Sequence, residues 1–494
     1  MKLIFVVLLS ILISCSQAQN TTPLYKQNHN INIALNAVKN SDDVKHCIFG
    51  FYAVDVNTGE VLSQYNQEIA LKPASNMKLV STATLLELYG PDYRFETRLA
   101  YTGTIDTLTK TLNGTIYIIG GGDPSLGSKF FDQTSNNQFL NDWVNAIKNL
   151  NITQINGQII ADASIYSHDI TPPTWSWEDM GNYFGAGASG LSIYDNFYTL
   201  TYKTGTTVGT KAEIIAYEHI PENLSIDNTV LAGNTSDDDS YIFGAPYTYH
   251  RFIRGELPAN RNAFLVKGSQ PDPALYAASV LCKQLENEGI TTTAKPATTY
   301  LQNSKLPENY IVIHTYKSPT VFDIITATNK HSINLFAEHC LNHASLKLNE
   351  IAETKAASKA ITAFWAQKGM NTAGIAINDG SGLSQYNLIT PVQMVFLLQY
   401  MKTKSKYYTQ FYNSLPIAGE SGTIKSVLKG TVAQGNIHAK SGSIKNVRAY
   451  SGYATSASGR EIAFSVMFNN FTVSSSTMRK HMEALMLSLV QFNK

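Results

Sequence analysis

Strand-forming sequence stands at both ends of this 494-residue chain with helical sequence between, and that order constrains the fold more than any other feature. Near the start, Phe49 to Val56 is an apolar run, Asn57-Thr58-Gly59-Glu60 is a turn, and Val61-Leu62 begins a second strand. Near the end, Val447 to Ala454 alternates, 456–460 turns, and Ile462 to Phe468 returns as a strand. A closing helix follows, with Met478, Met482, Leu485, Met486 and Leu489 at helical spacing. One antiparallel sheet made from the two chain ends and flanked by helices accounts for this order, the middle of the chain being inserted. The expected layout is a discontinuous α/β domain, 30–99 and 306–494, around a mostly β inserted region, 100–305. No repeat or low-complexity linker marks boundaries inside the insert.

The first residues belong to targeting rather than to the fold. Met1-Lys2 followed by the apolar run Leu3 to Ile13 has the basic start and short hydrophobic stretch of a secretory signal. The chain is expected to be exported to the periplasm. Two processing sites compete: Ser16-Gln17-Ala18 suits ordinary cleavage of a 1–18 signal peptide, and Leu12-Ile13-Ser14-Cys15 resembles a bacterial lipobox ending the signal at 14. The second is favoured, which makes Cys15 a lipid anchor and holds the protein at the membrane. Lys2 is the one charge in the first twenty residues, so removing them leaves 37 basic residues against 37 acidic ones. A neutral chain has no bulk electrostatic claim on nucleic acid.

Cys47, Cys282 and Cys340 remain in the mature chain, too few and odd in number for a disulfide framework. His339 and His343 lie one helical turn apart, but no Glu follows the first and no third ligand is in sight, so no metal site is expected.

The chemistry starts at Leu71 to Leu86, which reads as a helix with Pro73 suited to its first turn. Ser75 and Lys78 are i and i+3 and share a face. A serine hydroxyl is a weak nucleophile until a neighbour takes its proton, and a lysine desolvated among Met77, Leu79 and Val80 can lose its charge and do so. Ser426-Val427-Leu428-Lys429 spells the same pattern, so the pattern alone is weak. In penicillin-interacting serine enzymes Ser-x-x-Lys is accompanied by a Ser-Asp-Asn-like and a Lys-Thr-Gly motif. Two sets fit: Ser332-Ile333-Asn334 with Lys440-Ser441-Gly442, and Ser135-Asn136-Asn137 with Lys203-Thr204-Gly205. Ser135 lies in a polar run before a helical segment, where Ser and Asn serve as caps, and Lys203 falls at a strand end and turn. Ser332 and Asn334 lie at a junction between two helical runs, able to face a cleft, and Lys440 leads into the terminal strands. The 332/440 set is favoured.

With these motifs go Gly120-Gly121-Gly122-Asp123-Pro124-Ser125-Leu126, Trp175-Ser176-Trp177-Glu178-Asp179, Asn378 to Ser384 and Leu415-Pro416-Ile417-Ala418-Gly419. In this order, over residues 45 to 470, the chain resembles the class C low-molecular-mass penicillin-binding proteins, of the D-alanyl-D-alanine carboxypeptidase/endopeptidase type. Lys-Ser-Gly replaces Lys-Thr-Gly and keeps a hydroxyl, and Ile333 fills the middle of the second motif.

The resemblance implies a serine transpeptidase/β-lactamase-like domain whose insert folds into two nested domains. It also implies cleavage of peptidoglycan stem peptides through an acyl-enzyme on Ser75, with β-lactams as inhibitors and no cofactor. Lys78 would be the base, Ser332 a proton relay, and Asn334 a partner of Lys78 and the substrate amide. Lys440 would meet the substrate carboxylate, with Ser441, Gly442 and Ser443 beside it and the N–H groups of Ser75 and Ser443 as oxyanion hole. Two rivals remain: a β-lactamase or esterase of the same fold, and a non-catalytic wall-binding lipoprotein.

Overall fold

The computed structural model describes residues 29–493. The signal segment and Cys15 lie outside the described residues. Among those described, no helix is long and apolar enough to cross a membrane.

The two chain ends meet in one five-stranded antiparallel sheet, ordered Ile437–Ile444, Val447–Thr455, Glu461–Asn469, Ile48–Asp55 and Val61–Tyr65. Its central strands are buried on both faces, and successive side chains enter opposite cores. Ala463 and Met467 join the core formed with helices Met77–Tyr89, Val321–His331, Asn334–Asn349, Thr354–Gln367 and Pro391–Thr403. Phe464, Val466 and Phe468 join the core under helices His29–Lys39 and Ser475–Val490. Phe49 pairs with Phe468 across the strands, their rings stacked 4.5 Å apart.

Helix Met77–Tyr89 is buried all round from Met77 to Leu86, which only an interior helix tolerates. Two of its hydroxyls are satisfied locally, Thr82 donating to the Lys78 carbonyl and Thr84 to that of Val80, both at 2.7 Å, and Ser81 donates to the Gly380 carbonyl at 2.6 Å.

The chain leaves this body through strand Arg94–Asp106 and returns through Ile311–Thr320, which pair antiparallel, so exit and re-entry are side by side. The division expected at 99/100 falls inside the first of these strands. They belong to a seven-stranded sheet whose core includes Trp143 of helix Gln138–Lys148 and Leu281 of helix Pro273–Asn287. Two smaller sheets, one carrying strands Phe197–Lys203 and Phe264–Ser269 and the other Asp239–Phe243 and His250–Pro258, enclose a separate core of Tyr198, Leu200, Tyr202, Ile242 and Ile253.

Candidate active site

Ser75 does not sit in an α-helix as the sequence suggested. It occupies a 3₁₀ turn, Ala74–Asn76, that feeds helix Met77–Tyr89. Ala74 is held at φ +46°, a left-handed conformation costing on the order of 1–3 kcal/mol, which the surroundings must impose. Two glycines do so. A Cβ on Gly382 would fall 1.8 Å from the Ala74 carbonyl oxygen, and one on Gly442 2.5 Å from that of Pro73. The turn is thus clamped between the loop at 379–384 and strand Ile437–Ile444.

The i, i+3 spacing brings Lys78 Nζ to 3.1 Å from Ser75 Oγ. The same nitrogen donates to Asn334 Oδ1 at 2.6 Å and to the Ser381 carbonyl at 2.7 Å. Lys78 is fully buried, and loss of hydration pulls its pKa down to about 7 against the pull of Asp379 and Glu338. At neutral pH a substantial fraction is the free amine.

Asn334 opens helix Asn334–Asn349, and Ser332, at φ +59°, ends helix Val321–His331. The junction lets Asn334 face Lys78 and Ser332 face Lys440. Asn334 Nδ2 also donates to the Phe184 carbonyl at 2.8 Å, tying the insert to the site. Lys440 donates to Ser332 Oγ at 2.9 Å and to the Ser441 carbonyl at 2.6 Å. It too is fully buried, and burial together with the nearby Lys78 drives its pKa well below the usual range. Ser441 Oγ donates to Thr423 Oγ1 at 2.7 Å, and Ser443 is exposed at the strand end.

Two buried acids escaped the sequence reading as parts of this site. Asp379 accepts from Trp175 Nε1 at 2.8 Å, Gly382 N at 2.7 Å and Asn387 Nδ2 at 2.6 Å, shaping the loop that delivers the Ser381 carbonyl. Glu338 accepts from Gly380 and Ser381 N–H at 2.9 and 2.8 Å. Burial and the charge of Asp379 push its carboxyl up to about 8. Glu338 stands four residues after Asn334, hence on its helix face, the one sequence signal that could have found it.

The competing residues are elsewhere. Ser135 and Lys203 are exposed in the insert, and Thr204 is a buried structural hydroxyl donating to the Pro258 carbonyl at 2.7 Å. Ser426 and Lys429 are exposed, with Ser426 Oγ accepting from Arg479 at 3.2 Å. His339 is hydrogen-bonded to the Gly122 carbonyl and Ser192 Oγ, and His343 to the hydroxyls of Tyr93 and Tyr166, so both rings serve the seam with the insert.

The model of the D-Ala-D-Ala carboxypeptidase 3 (S13) family matches residues 31–491. A D-alanyl-D-alanine carboxypeptidase of Actinomadura sp. (strain R39) is 26% identical over 449 residues, covering 88% of this chain and 80% of the relative. The D-alanyl-D-alanine carboxypeptidase DacB of Haemophilus influenzae is 23% identical over 435 residues, 86% and 85% of the two chains. The crystal structure of penicillin-binding protein 4 from Haemophilus influenzae superposes with a TM-score of 0.77 at 21% identity, over 92% of this chain and 98% of that one. That protein has also been crystallised with a β-lactam.

Proposed function

This chain belongs to the D-Ala-D-Ala carboxypeptidase 3 (S13) family, and from that premise we propose how its residues divide the work of a serine D-Ala-D-Ala carboxypeptidase. Ser75 Oγ attacks the carbonyl of the penultimate D-Ala of a peptidoglycan stem while Lys78 Nζ takes its proton. The C–N bond breaks, D-Ala leaves with a proton relayed through Ser332, and water then hydrolyses the ester and restores Ser75. The same steps cleave a cross-link when the leaving amine belongs to another stem, which makes the protein an endopeptidase as well. β-Lactams acylate Ser75 by the same route.

Asn334 orients Lys78 and the substrate amide. Lys440 meets the terminal carboxylate, whose negative charge offsets the burial and repulsion that hold this lysine down in the free site. Ser441 and Ser443 are its hydroxyl partners, with Gly442 letting the strand approach the Ser75 turn. The N–H groups of Ser75 and Ser443 receive the oxyanion, each such donor typically worth about 10²–10³ in rate.

The observation that carries this reading is the fully buried Lys78, held near neutrality 3.1 Å from Ser75 Oγ. Incubation with benzylpenicillin followed by intact and peptide mass spectrometry tests it. A lasting penicilloyl group on the Ser75 peptide is expected; rapid release of penicilloate without a lasting adduct identifies a β-lactamase instead.

The chain works outside the cytoplasm, in the periplasm, anchored by lipid on Cys15. Detergent partitioning of the native protein and its loss in Cys15→Ala check this; an N-terminus at Gln19 in both proteins refutes it.

A further inference from the structure

Side chains from two helices hold residues 380 and 381 by all four of their backbone polar groups. Glu338 takes both N–H groups, that of Gly380 on Oε2 at 2.9 Å and that of Ser381 on Oε1 at 2.8 Å. Helix Met77–Tyr89 takes both carbonyls, Ser81 Oγ donating to that of Gly380 at 2.6 Å and Lys78 Nζ to that of Ser381 at 2.7 Å. A Cβ on Gly380 would fall 2.5 Å from the Ala337 carbonyl oxygen, so the loop lies directly on the helix that carries Glu338. Asp379 serves the next stretch, accepting from Gly382 and Ser384 N–H, and leaves the N–H groups of 380 and 381 to Glu338.

Glu338 is 1% exposed. A carboxylate so placed persists only where donors replace its water. Burial and the charge of Asp379 oppose its ionisation, and the Gly380 and Ser381 N–H groups and the Ser381 side chain favour it.

The consequence falls on Lys78. As an ammonium it spends its three protons on Ser75 Oγ, Asn334 Oδ1 and the Ser381 carbonyl. As a free amine it has two protons and a lone pair. Asn334 Oδ1, at 2.6 Å, and the Ser381 carbonyl, at 2.7 Å, accept the two protons, which turns the lone pair toward Ser75 Oγ, 3.1 Å away. When Oγ bonds the substrate carbonyl carbon, its proton passes to that lone pair. The aim of the base therefore depends on a backbone carbonyl that its own residue cannot hold in place.

We propose that Glu338 is a positioning residue for acylation: by binding the N–H groups of residues 380 and 381 it keeps the Ser381 carbonyl on Lys78 and the lone pair of the amine on Ser75. This rests on the carboxypeptidase reading and adds to it a residue that acts only through the loop. Its charge acts in the same place. Burial lowers the proton affinity of Lys78, Asp379 and Glu338 raise it, and Lys440 is the neighbouring positive charge.

Stopped-flow acylation by benzylpenicillin across neutral pH, normalised to titrated sites, separates the acylation rate constant from the dissociation constant of the noncovalent complex. Glu338→Gln keeps the length, loses the charge and sets a donor against one N–H. Glu338→Asp keeps the charge and is one methylene too short to reach both. In each the acylation rate constant should fall about tenfold, roughly the worth of one hydrogen bond, with the dissociation constant within about twofold of the parent's. Only Glu338→Gln should lower the pH midpoint, since a charge that favours the Lys78 ammonium is gone. Parent-like rate constants in both variants, a loss confined to the number of titratable sites, or a midpoint unmoved in Glu338→Gln overturns the role. If Glu338→Gln does not fold, the split between rate and dissociation constants in Glu338→Asp decides alone. A parent that is never acylated overturns the carboxypeptidase reading instead. The titration of Lys78, followed by NMR of isotope-labelled lysine, then decides Glu338 by the same fall in Glu338→Gln and its absence in Glu338→Asp.

Discussion

Ser75 with Lys78 and Ser426 with Lys429 spell one pattern, and Lys440-Ser441-Gly442 and Lys203-Thr204-Gly205 nearly share another. The lysine of the first member of each pair is in the interior and that of the second is on the surface. Lys78 and Lys440 are fully buried, and each donates to a polar group of helix Asn334–Asn349 or the junction before it. Lys203 and Lys429 are exposed. An exposed lysine stays hydrated and charged, whereas a buried one surrenders its proton readily enough to act as a base. The difference lies in what the rest of the chain packs around the same letters.

Substitution should make the contrast measurable. Ser75→Ala removes the nucleophile and should cost on the order of 10⁴–10⁶ in D-Ala release and eliminate the penicilloyl adduct. Ser426→Ala should acylate like the parent by mass spectrometry. An adduct surviving in Ser75→Ala would reverse the assignment. Lys78→Ala should lower the acylation rate by about 10²–10⁴. In the wild type that rate should rise with pH through a midpoint near 7, where Lys78 loses its proton. A stopped-flow profile flat from pH 6 to 8 would show that another group is the base.

A smaller effect separates the two triplets. Lys440→Ala deletes a charge-assisted contact and should reduce kcat/KM on D-Ala-D-Ala peptides by about 10², while Lys203→Ala should stay within about twofold. Comparable melting temperatures make the comparison one of function. Should Lys203→Ala be the inactive protein, the catalytic body has been drawn around the wrong residues.

Sequence periodicity revealed the elements that depend on local pattern. The strand pairs at both ends, the closing helix, and the helices on either side of Ser332 stand where the apolar spacing placed them. It misplaced Ser75 by one structural class, because the 3₁₀ turn packs closely against Gly382 and Gly442, which lie over 300 residues away in sequence. The Ser381 carbonyl was invisible for another reason: a backbone acceptor carries no residue-type signal. Glu338 was overlooked since a glutamate on a helix is ordinarily a solvated side chain, and here the 379–384 loop donates two N–H groups to it in the interior.

The smallest effect concerns a second set of buried bases on the helix that carries Asn334. Burial lowers His339 to about 4 and His343 to about 3, with His339 adding to the shift at His343. An unfolded histidine titrates near 6.5, so below that pH the unfolded chain binds protons the folded one refuses. Their contribution to stability is complete above pH 6.5 and is lost as pH falls toward 4 and 3. At pH 5 the loss is about 2 kcal/mol for each, on the order of 4 kcal/mol for the pair. Asp123, Asp195 and Glu338 oppose it, since their raised pKa values favour the folded state in acid. The wild-type melting temperature alone therefore mixes two signs. His343→Gln removes one histidine and leaves the acids in place, so they cancel when each protein's change in melting temperature from pH 7 to pH 5 is compared. The variant should melt lower at pH 7, having lost its fit among Tyr89, Tyr93 and Phe95. Its further fall on acidification should be smaller than the parent's by a few degrees. Equal falls would show that His343 is not the group taking up the proton. Lys78 and His343 would then differ in more than purpose, for burial would have neutralised the lysine at the site without neutralising the histidine at the seam.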